Sequence, residues 1–548
     1  MASSTVEKQS KDSRNDIETL VVYNGDNAEK YRYDEKEHDG VQRVLTQRHI
    51  QMIAIAGTIG TGLFLGSGNV LRKAGPLGAL VAYILVGTVT YSSLCAVGEM
   101  AAWAPISGTF PHYAGRWVDP ALGFAVGWNY FYGMAISVPV EVSAANILLT
   151  FWDDDVSRHT AIYLTVILIC MCAINVFGAR YFGESEFFFA IIKLSTLASL
   201  LITGLVIDLG GGPKGDRIGF RYWKDPGALN RAGLVANIRT DQFLAILSTI
   251  VQAAFSFQGM EMVIIAASET ENPRRNIAKA VRRVFYRILF FYILGILMIG
   301  MLVAYNDSAL LTDTGNAAQS PFVIAINRAG IQALPHIVNA AVFTSAFSAG
   351  NSQIFSGSRV LYGLALRGQG PKFLTYCTKR GTPIVAVGIT CAFSLLSYMS
   401  INSGADTVFN WFVNLSTTGG FIGWFCINLT YIFFHRGMVA QGVDPKSNVY
   451  NNRLQPYLAY WGILWTFIFI LTTGYTVFFD WNTSEFFVAY VNIVIFLALY
   501  LGYKIAKHTK IWKPMERDLF TGIPTKAETE KPVSPPRTIG QKVAAIIF

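Results

Sequence analysis

The sequence predicts an all-α membrane protein of about twelve transmembrane helices. Of its 548 residues, 52% are hydrophobic and only 14% are charged, and the mean hydropathy is +0.39. A soluble domain carries about 25% charged residues, so most of this chain is expected to lie in lipid. The apolar residues fall into about twelve runs, each close to the ~20 residues that cross a bilayer as a helix.

Charge and cysteine content exclude several classes of function. The net charge of +9 lies largely in the tails and in short loops between apolar runs, so it does not indicate a nucleic-acid partner. Five of the six cysteines fall inside apolar runs, and their spacing predicts neither a disulfide framework nor a metal site. The seven histidines lie in loops, tails or at the ends of spans. We therefore expect no enzyme activity, no metal and no cofactor.

The chain divides into a polar tail (1–48), a transmembrane domain (49–506) and a second polar tail (507–548). The first tail is expected to be disordered and to contain no cleavable signal peptide, so the first apolar run is expected to direct insertion. We call the predicted transmembrane segments spans 1 to 12. In chain order they cover about 50–71, 77–102, 121–151, 160–177, 187–207, 242–267, 288–305, 337–364, 384–401, 407–434, 457–479 and 486–505.

Basic residues predict which side the tails occupy. The loops after spans 6, 8 and 10 carry clusters of Lys and Arg, whereas those after spans 7, 9 and 11 carry almost none beyond Arg328. By the positive-inside rule, both tails are cytoplasmic. The loop 208–241 argues against this with six basic residues, although its length and its aspartates weaken that objection.

Span 1 contains an unusual stretch, Gly-Thr-Ile-Gly-Thr-Gly at 57–62, in the middle of an apolar run. Each glycine costs a helix interior about 1 kcal/mol relative to alanine, so the stretch predicts a break in the helix. An unwound backbone is tolerated in a membrane only where it lines a cavity or is buried in protein. Such a break frees amide donors that suit an anionic group. The alternative is that the glycines form a close-packing face for another helix.

Span 6 contains a second predicted break, at Phe-Ser-Phe-Gln-Gly-Met-Glu (255–261). Spans 1 and 6 are five apart, and because five is odd, a copy of the first five spans would be inserted upside down. Interrupted spans at matching positions in two halves indicate the binding site of a transporter. The pattern predicts two inverted five-helix repeats followed by two further helices.

Several motifs resemble one family, the fungal amino acid permeases of the amino acid–polyamine–organocation superfamily. They include GTIGTGLFLGSG (57–68), GEMAAWAPISGTF (98–110) and SETENPRRNIAKAVRRVFYRI (268–288), and the resemblance extends over about 48–505. It implies a proton-coupled amino acid importer of the fungal plasma membrane that works by alternating access. The absence of a Walker-type motif from the sequence also favours the proton gradient over ATP. We expect broad or neutral substrates; the alternatives are an acidic (dicarboxylic) amino acid permease or an amino acid sensor with little transport.

The resemblance also implies how the substrate is held. In this family, amides of the broken first span hold the α-carboxylate, and carbonyls of the broken sixth span hold the α-amino group. The corresponding residues are Thr58, Ile59, Gly60, Thr61 and Gly62 in span 1, and Phe255, Ser256, Phe257 and Gly259 in span 6. A break rich in donors opposite one rich in acceptors suits a zwitterion. Phe255 or Phe257 is expected to close over the substrate, with ordinary packing as the alternative.

Three ionisable residues within spans are candidates for proton coupling, because burying charge in a membrane is costly. Lys193 is the only lysine deep in an apolar run, and it resembles a fifth-span lysine of proton-coupled bacterial relatives; the alternative is that it snorkels to the surface. Glu141 in span 3 resembles a glutamate that is common in fungal members, with a structural hydrogen bond as the alternative. Glu261 follows the span 6 break and either holds the backbone or shuttles a proton.

The expected partners are therefore an L-amino acid, protons and the lipid bilayer. By resemblance, tail lysines are also expected to accept ubiquitin through ligase adaptors; the candidates are Lys8, Lys11 and Lys30.

Overall fold

The computed structural model describes residues 47–53, 59–106, 109–153, 155–211, 215–268, 272–311, 320–331, 333–403 and 405–524. Every regular element in these residues is helical. Eight of the described helices are long and apolar enough to cross a membrane. One of them, Gly62–Trp103, contains the end of span 1 and the whole of span 2. Gly75 breaks it with φ 75° and ψ 173°, and Pro76 starts span 2. The predicted all-helical multi-span fold is confirmed.

The twelve predicted spans correspond to helices with the following bounds. Span 1 comprises Gln47–Met52 and, after an interruption, a π-helical turn Gly62–Gly66 that continues into Ser67–Trp103, whose part after Gly75 is span 2. Spans 3, 4 and 5 are Pro120–Leu149, Val156–Phe177 and Ala179–Asp208. Span 6 comprises Ile238–Phe257 and Met262–Ser268; span 7 comprises Pro273–Arg287, a π-helical turn Ile288–Ile293 and Leu294–Leu302. Span 8 is Ala333–Leu366; span 9 comprises Ile384–Ser394, a 3-10 turn Leu395–Met399 and Ser400–Ser403. Spans 10, 11 and 12 are Ala405–Ala440, Tyr457–Thr472 and Thr483–Lys507.

Local sequence explains where several spans begin. The Asp119 carboxylate accepts a hydrogen bond from the backbone N–H of Ala121 at 2.9 Å, and Pro120 occupies the first helical position of span 3. Asn482 caps span 12 in the same way, accepting from the N–H groups of Ser484 and Glu485. These side chains satisfy amide groups that have no partner within the helix.

The structure corrects two predicted links. Residues 178–186 were expected to form a polar link, but span 5 begins at Ala179 and includes Glu186, whose side chain is fully buried. Residues 269–287 were expected to form a basic link, but Pro273–Arg287 is a helix that leads into span 7, and Arg287 is 2% exposed. The hydropathy pattern began these spans too late because it treats charged residues as loop residues, whereas Glu186 and Arg287 are buried inside the protein.

Spans 3, 6 and 8 contact span 1 around its break, and Leu65 of span 1 packs against a cluster that includes residues of span 10. Span 3 is the most enclosed of the eight helices that are apolar enough to cross a membrane. In an 18-residue apolar stretch of span 3, 89% is buried inside the protein, whereas only 11% is buried in span 12. Span 3 packs along spans 8 and 10, and span 6 packs along span 2. Two inverted five-helix repeats make span 1 equivalent to span 6 and span 3 equivalent to span 8. In the structure, the two members of each pair are in contact.

Two opposite faces are useful for orientation. We call the face that holds Gln47 and residues 512–524 the tail face, and the opposite face the distal face. Residues 512–524, the C-terminal strap, lie across the ends of several spans. The indole Nε1 of Trp103 donates to the carbonyl oxygen of Leu519 at 2.8 Å, and Leu519 is 1% exposed. The strap is therefore part of the folded structure.

Candidate functional site

The two interrupted helices are in direct contact. Ile59 and Gly60 are not helical, and span 1 becomes helical again at the next residue. Span 6 is interrupted at 258–261, where Gly259 has φ 77°, a left-handed conformation that favours glycine. A Cβ atom added to Gly62 would lie 2.8 Å from the Cα atom of Ser256. Both predicted breaks are confirmed, and Gly62 also serves the close-packing role that was the alternative.

The break in span 1 is held by side chains of spans 3 and 8. Ser345 donates through its hydroxyl to the carbonyl oxygen of Ile59 at 2.8 Å. The Glu141 Oε2 atom accepts from the backbone N–H of Thr61 at 3.4 Å and from its Oγ1 hydroxyl at 3.1 Å. A Cβ atom at Gly60 would collide with Oε1 of Glu141. The donors at this helix start therefore bind the carboxylate of Glu141. Thr58 lies outside the described residues.

The predicted residues of span 6 lie against the same break. The hydroxyl groups of Ser256 and Tyr83 are hydrogen-bonded at 2.9 Å. Phe257 is fully buried and stacks on Tyr292 with ring centroids 4.5 Å apart. The carbonyl oxygen of Phe255 accepts from the N–H of Gln258 at 3.3 Å, which closes the turn that ends the helix. Phe257 is thus packed between aromatic neighbours from spans 2 and 7.

An apolar cluster covers the break on its distal side. The ring of Phe255 meets that of Phe409 in span 10 nearly at a right angle, with centroids 6.2 Å apart. Phe412 and Val140 belong to the same cluster, and Leu65 packs against it. We call these five residues the aromatic barrier. It presents apolar surface directly beside the two broken helices.

Buried charges lie on the other side of span 1, among spans 3, 5 and 8. Lys193 is 1% exposed, so its side chain is enclosed by protein and does not snorkel to the surface. It interacts electrostatically with Glu141 and with Glu186. Glu186 accepts hydrogen bonds from Ser348 at 2.8 Å and from Asn351 at 3.2 Å.

Glu186 is a candidate site residue that the sequence interpretation missed. The available signal was its spacing, because it precedes Lys193 by seven residues, or two helical turns, and so lies on the same helix face. The run of charges around it placed it in a link rather than in a span. In the structure Glu186 and Lys193 lie on the buried face of span 5.

Glu261 occupies the turn between the two parts of span 6 and is 6% exposed. Its carboxylate accepts from the indole N–H of Trp424 in span 10 at 3.3 Å. Its carbonyl oxygen accepts from the N–H of Ile264, which supports the start of the second helix. The buried Arg287, also missed by the sequence interpretation, interacts electrostatically with both Glu261 and Lys193.

Comparison with known proteins agrees with this architecture. The family model described as amino acid permease matches residues 49–516. The chain is 42% identical over 496 residues to a proline-specific permease of Emericella nidulans, covering 89% of each chain. It is 38% identical to a dicarboxylic amino acid permease of Saccharomyces cerevisiae, covering 88% of this chain and 80% of that one. It is 36% identical to a lysine/arginine permease of Candida albicans, covering 98% and 95%.

Proposed function

Since the chain belongs to the amino acid permease family and is a multi-pass membrane transporter rather than an enzyme, we propose that it imports neutral amino acids together with protons. The importer would work by alternating access around the two broken helices, in the plasma membrane of a fungal cell. Both tails would lie in the cytoplasm, which makes the distal face the external one. The tail lysines predicted to accept ubiquitin, Lys8, Lys11 and Lys30, lie outside the described residues.

The observation that carries this proposal is the binding of a carboxylate by Thr61. The backbone N–H and the hydroxyl of Thr61 both donate to Glu141 at a helix start that touches span 6. In the proposed mechanism the substrate α-carboxylate takes these donors, together with neighbouring amides from Thr58 to Gly62. The α-amino group would meet carbonyl oxygens of 255–257 on span 6. Both ends of a zwitterion would then be held mainly by backbone groups, with the hydroxyl of Thr61 as an additional side-chain donor.

The aromatic barrier supports a neutral substrate. A side chain that extends from this position meets Phe255, Phe409 and Val140, which can contribute dispersion and apolar burial but no counter-charge. The buried carboxylates have partners on Thr61 and Trp424, and Lys193 interacts with two carboxylates. A charged substrate side chain would have to displace one of these partners. Relatives named for proline, lysine and dicarboxylic amino acids show that the family spans several substrate classes.

The charges around Lys193 support proton coupling. When the substrate carboxylate replaces Glu141 at Thr61, two carboxylates come to lie close together, which is unfavourable unless one binds a proton. Lys193 interacts with Glu141 and Glu186, so a proton bound among these three groups restores the charge balance. Loading of substrate and of proton would thereby favour each other, as coupled transport requires.

Uptake by the purified protein in liposomes tests the proposal. We expect a labelled neutral amino acid to accumulate when the pH is lower outside, and a protonophore to abolish that accumulation. An excess of unlabelled neutral amino acids should compete at two pH values more strongly than acidic or basic ones. Uptake that is indifferent to the protonophore would rule out proton coupling, and competition by acidic amino acids alone would replace the neutral substrate with the dicarboxylic class.

A further inference from the structure

A polar cavity lies outside the site described above. Its volume is about 420 Å³, and it opens among the distal ends of spans 1, 6, 10, 11 and 12. Small-molecule sites typically measure about 300–1,000 Å³, so an amino acid fits this space. Its polar lining includes Arg72, Lys73, Gln252, Asn410, Asn414 and Glu485.

The lining of this cavity carries both signs of charge. Arg72 and Lys73 supply two cations at the end of span 1, and Glu485 supplies a carboxylate from the first turn of span 12. Lys73 and Glu485 interact electrostatically. Because a cation forms strong hydrogen bonds with a carboxylate, and a carboxylate with an ammonium group, this combination suits a free amino acid.

Side-chain amides line the wall that faces the central site. Gln252 donates to Oδ1 of Asn410 at 3.4 Å. The other amide atom of Gln252, Oε1, is buried and has no hydrogen-bond partner among the described residues. This oxygen lies close to Gly66 of span 1, since a Cβ atom there would be 3.5 Å away. An acceptor buried in this way can receive a hydrogen bond from an ammonium group.

The cavity is next to the central site but separated from it. Ser256 donates through its hydroxyl to the carbonyl oxygen of Gln252 at 3.4 Å, so the two sites are one helical turn apart along span 6. The aromatic barrier borders both sites, because Phe255 precedes Ser256 in span 6 and its ring partner Phe409 precedes Asn410 of the cavity lining. Separation of these rings would open a path from the cavity to Thr61.

We propose that this cavity is an outer loading site, which binds the zwitterion from the distal side before the aromatic barrier admits it. Arg72 and Lys73 would bind its carboxylate, while Glu485 and Gln252 would receive its ammonium group. The inference rests on the proposed import of amino acids, and it adds a second binding step with residues of its own. It also assigns a role to spans 11 and 12, which lie outside the inverted repeats.

The test compares a double variant, Arg72→Gln with Lys73→Gln, with the control Arg239→Gln in proteoliposomes. Arg239 is exposed at the start of span 6 and does not line the cavity, so its replacement removes one charge from the same face. We expect the KM for a neutral amino acid to rise about tenfold in the double variant and to lose most of its salt dependence, with the maximal rate retained. The control should change KM less than twofold.

Other outcomes separate this inference from the proposed function. Equal KM values and equal salt dependence in the double variant and the control would overturn the outer site while leaving amino acid import intact. A wild-type protein without amino acid uptake would instead overturn the proposed function. If the double variant does not fold, Glu485→Gln gives the same test, because a raised KM at full maximal rate supports the site and an unchanged KM contradicts it.

Discussion

Gly62 and Ser256 bring the two broken helices into backbone contact. A Cβ atom at position 62 would lie 2.8 Å from Cα and 2.9 Å from Oγ of Ser256, closer than a real Cβ atom approaches its neighbours. The helix start that binds a carboxylate is therefore fixed against the helix end that would bind an ammonium group. The distance between the two breaks is set by the lack of a side chain on one residue.

Replacement of Gly62 by alanine is expected to reduce uptake at least tenfold. The new methyl group must move the backbone of span 6, because the nearest atoms belong to Ser256 itself, and such overpacking costs about 1–3 kcal/mol. The matched control is Gly295→Ala in span 7, where a Cβ atom meets nothing within 4 Å. The control should keep normal uptake. Normal transport by Gly62→Ala would show that the contact between the breaks does not determine function.

Thr61→Val tests the carboxylate-binding donors. The substitution keeps the shape and the backbone N–H but removes the hydroxyl that donates to Glu141 at 3.1 Å. Hydrogen bonds to charged groups contribute about 1.5–3 kcal/mol, so we expect KM for the substrate to rise about tenfold or more. Thr61→Ser should restore most of the affinity, since it restores the hydroxyl.

The control for this substitution is Thr466→Val in span 11. Thr466 is fully buried, and its hydroxyl donates to the carbonyl oxygen of Gly462 within the same helix. It should leave KM unchanged. If Thr61→Val and Thr466→Val gave the same KM, the hydroxyl of Thr61 would have no role in substrate binding.

The sequence predicts the helix breaks of this structure better than it predicts the buried charges. The breaks at 57–62 and 255–261 were predictable because glycine and polar residues in the middle of an apolar run weaken a membrane helix at that point. The burial of Glu186 could not be predicted in this way. A hydropathy profile alone does not distinguish a charged residue in a loop from one that accepts hydrogen bonds from Ser348 and Asn351 across a helix interface. The contact of Thr61 with Glu141 joins positions that are 80 residues apart, and only the folded chain shows it.

Lys193→Met is expected to uncouple transport from the proton gradient. The methionine fills the buried space but removes the cation that interacts with Glu141 and Glu186. In liposomes we expect accumulation driven by a pH gradient to fall at least tenfold, while exchange of internal for external amino acid continues because it requires no net proton movement. Glu186→Gln is expected to give the same pattern, with reduced accumulation and continued exchange.

Lys446→Met, which changes an exposed lysine between spans 10 and 11, is the control. Near-normal proton-driven accumulation by Lys193→Met would remove Lys193 from the coupling mechanism.

Two truncations test the contribution of the C-terminal strap to stability. A chain that ends at Pro524 keeps every strap contact described here, including the bond from Arg274 to the carbonyl oxygen of Pro524 at 2.6 Å. A chain that ends at Lys507 lacks Leu519 and therefore exposes the protein surface against which Leu519 packs. It also leaves the indole N–H groups of Trp103 and Trp117 without their partners on the strap. Burial of a leucine contributes about 1.5–3 kcal/mol, so we expect the shorter chain to unfold at a clearly lower temperature in detergent. Leu519→Ala in the full chain should give a smaller shift in the same direction. Equal unfolding temperatures for the two truncated chains would show that the strap adds nothing to the stability of the tail face.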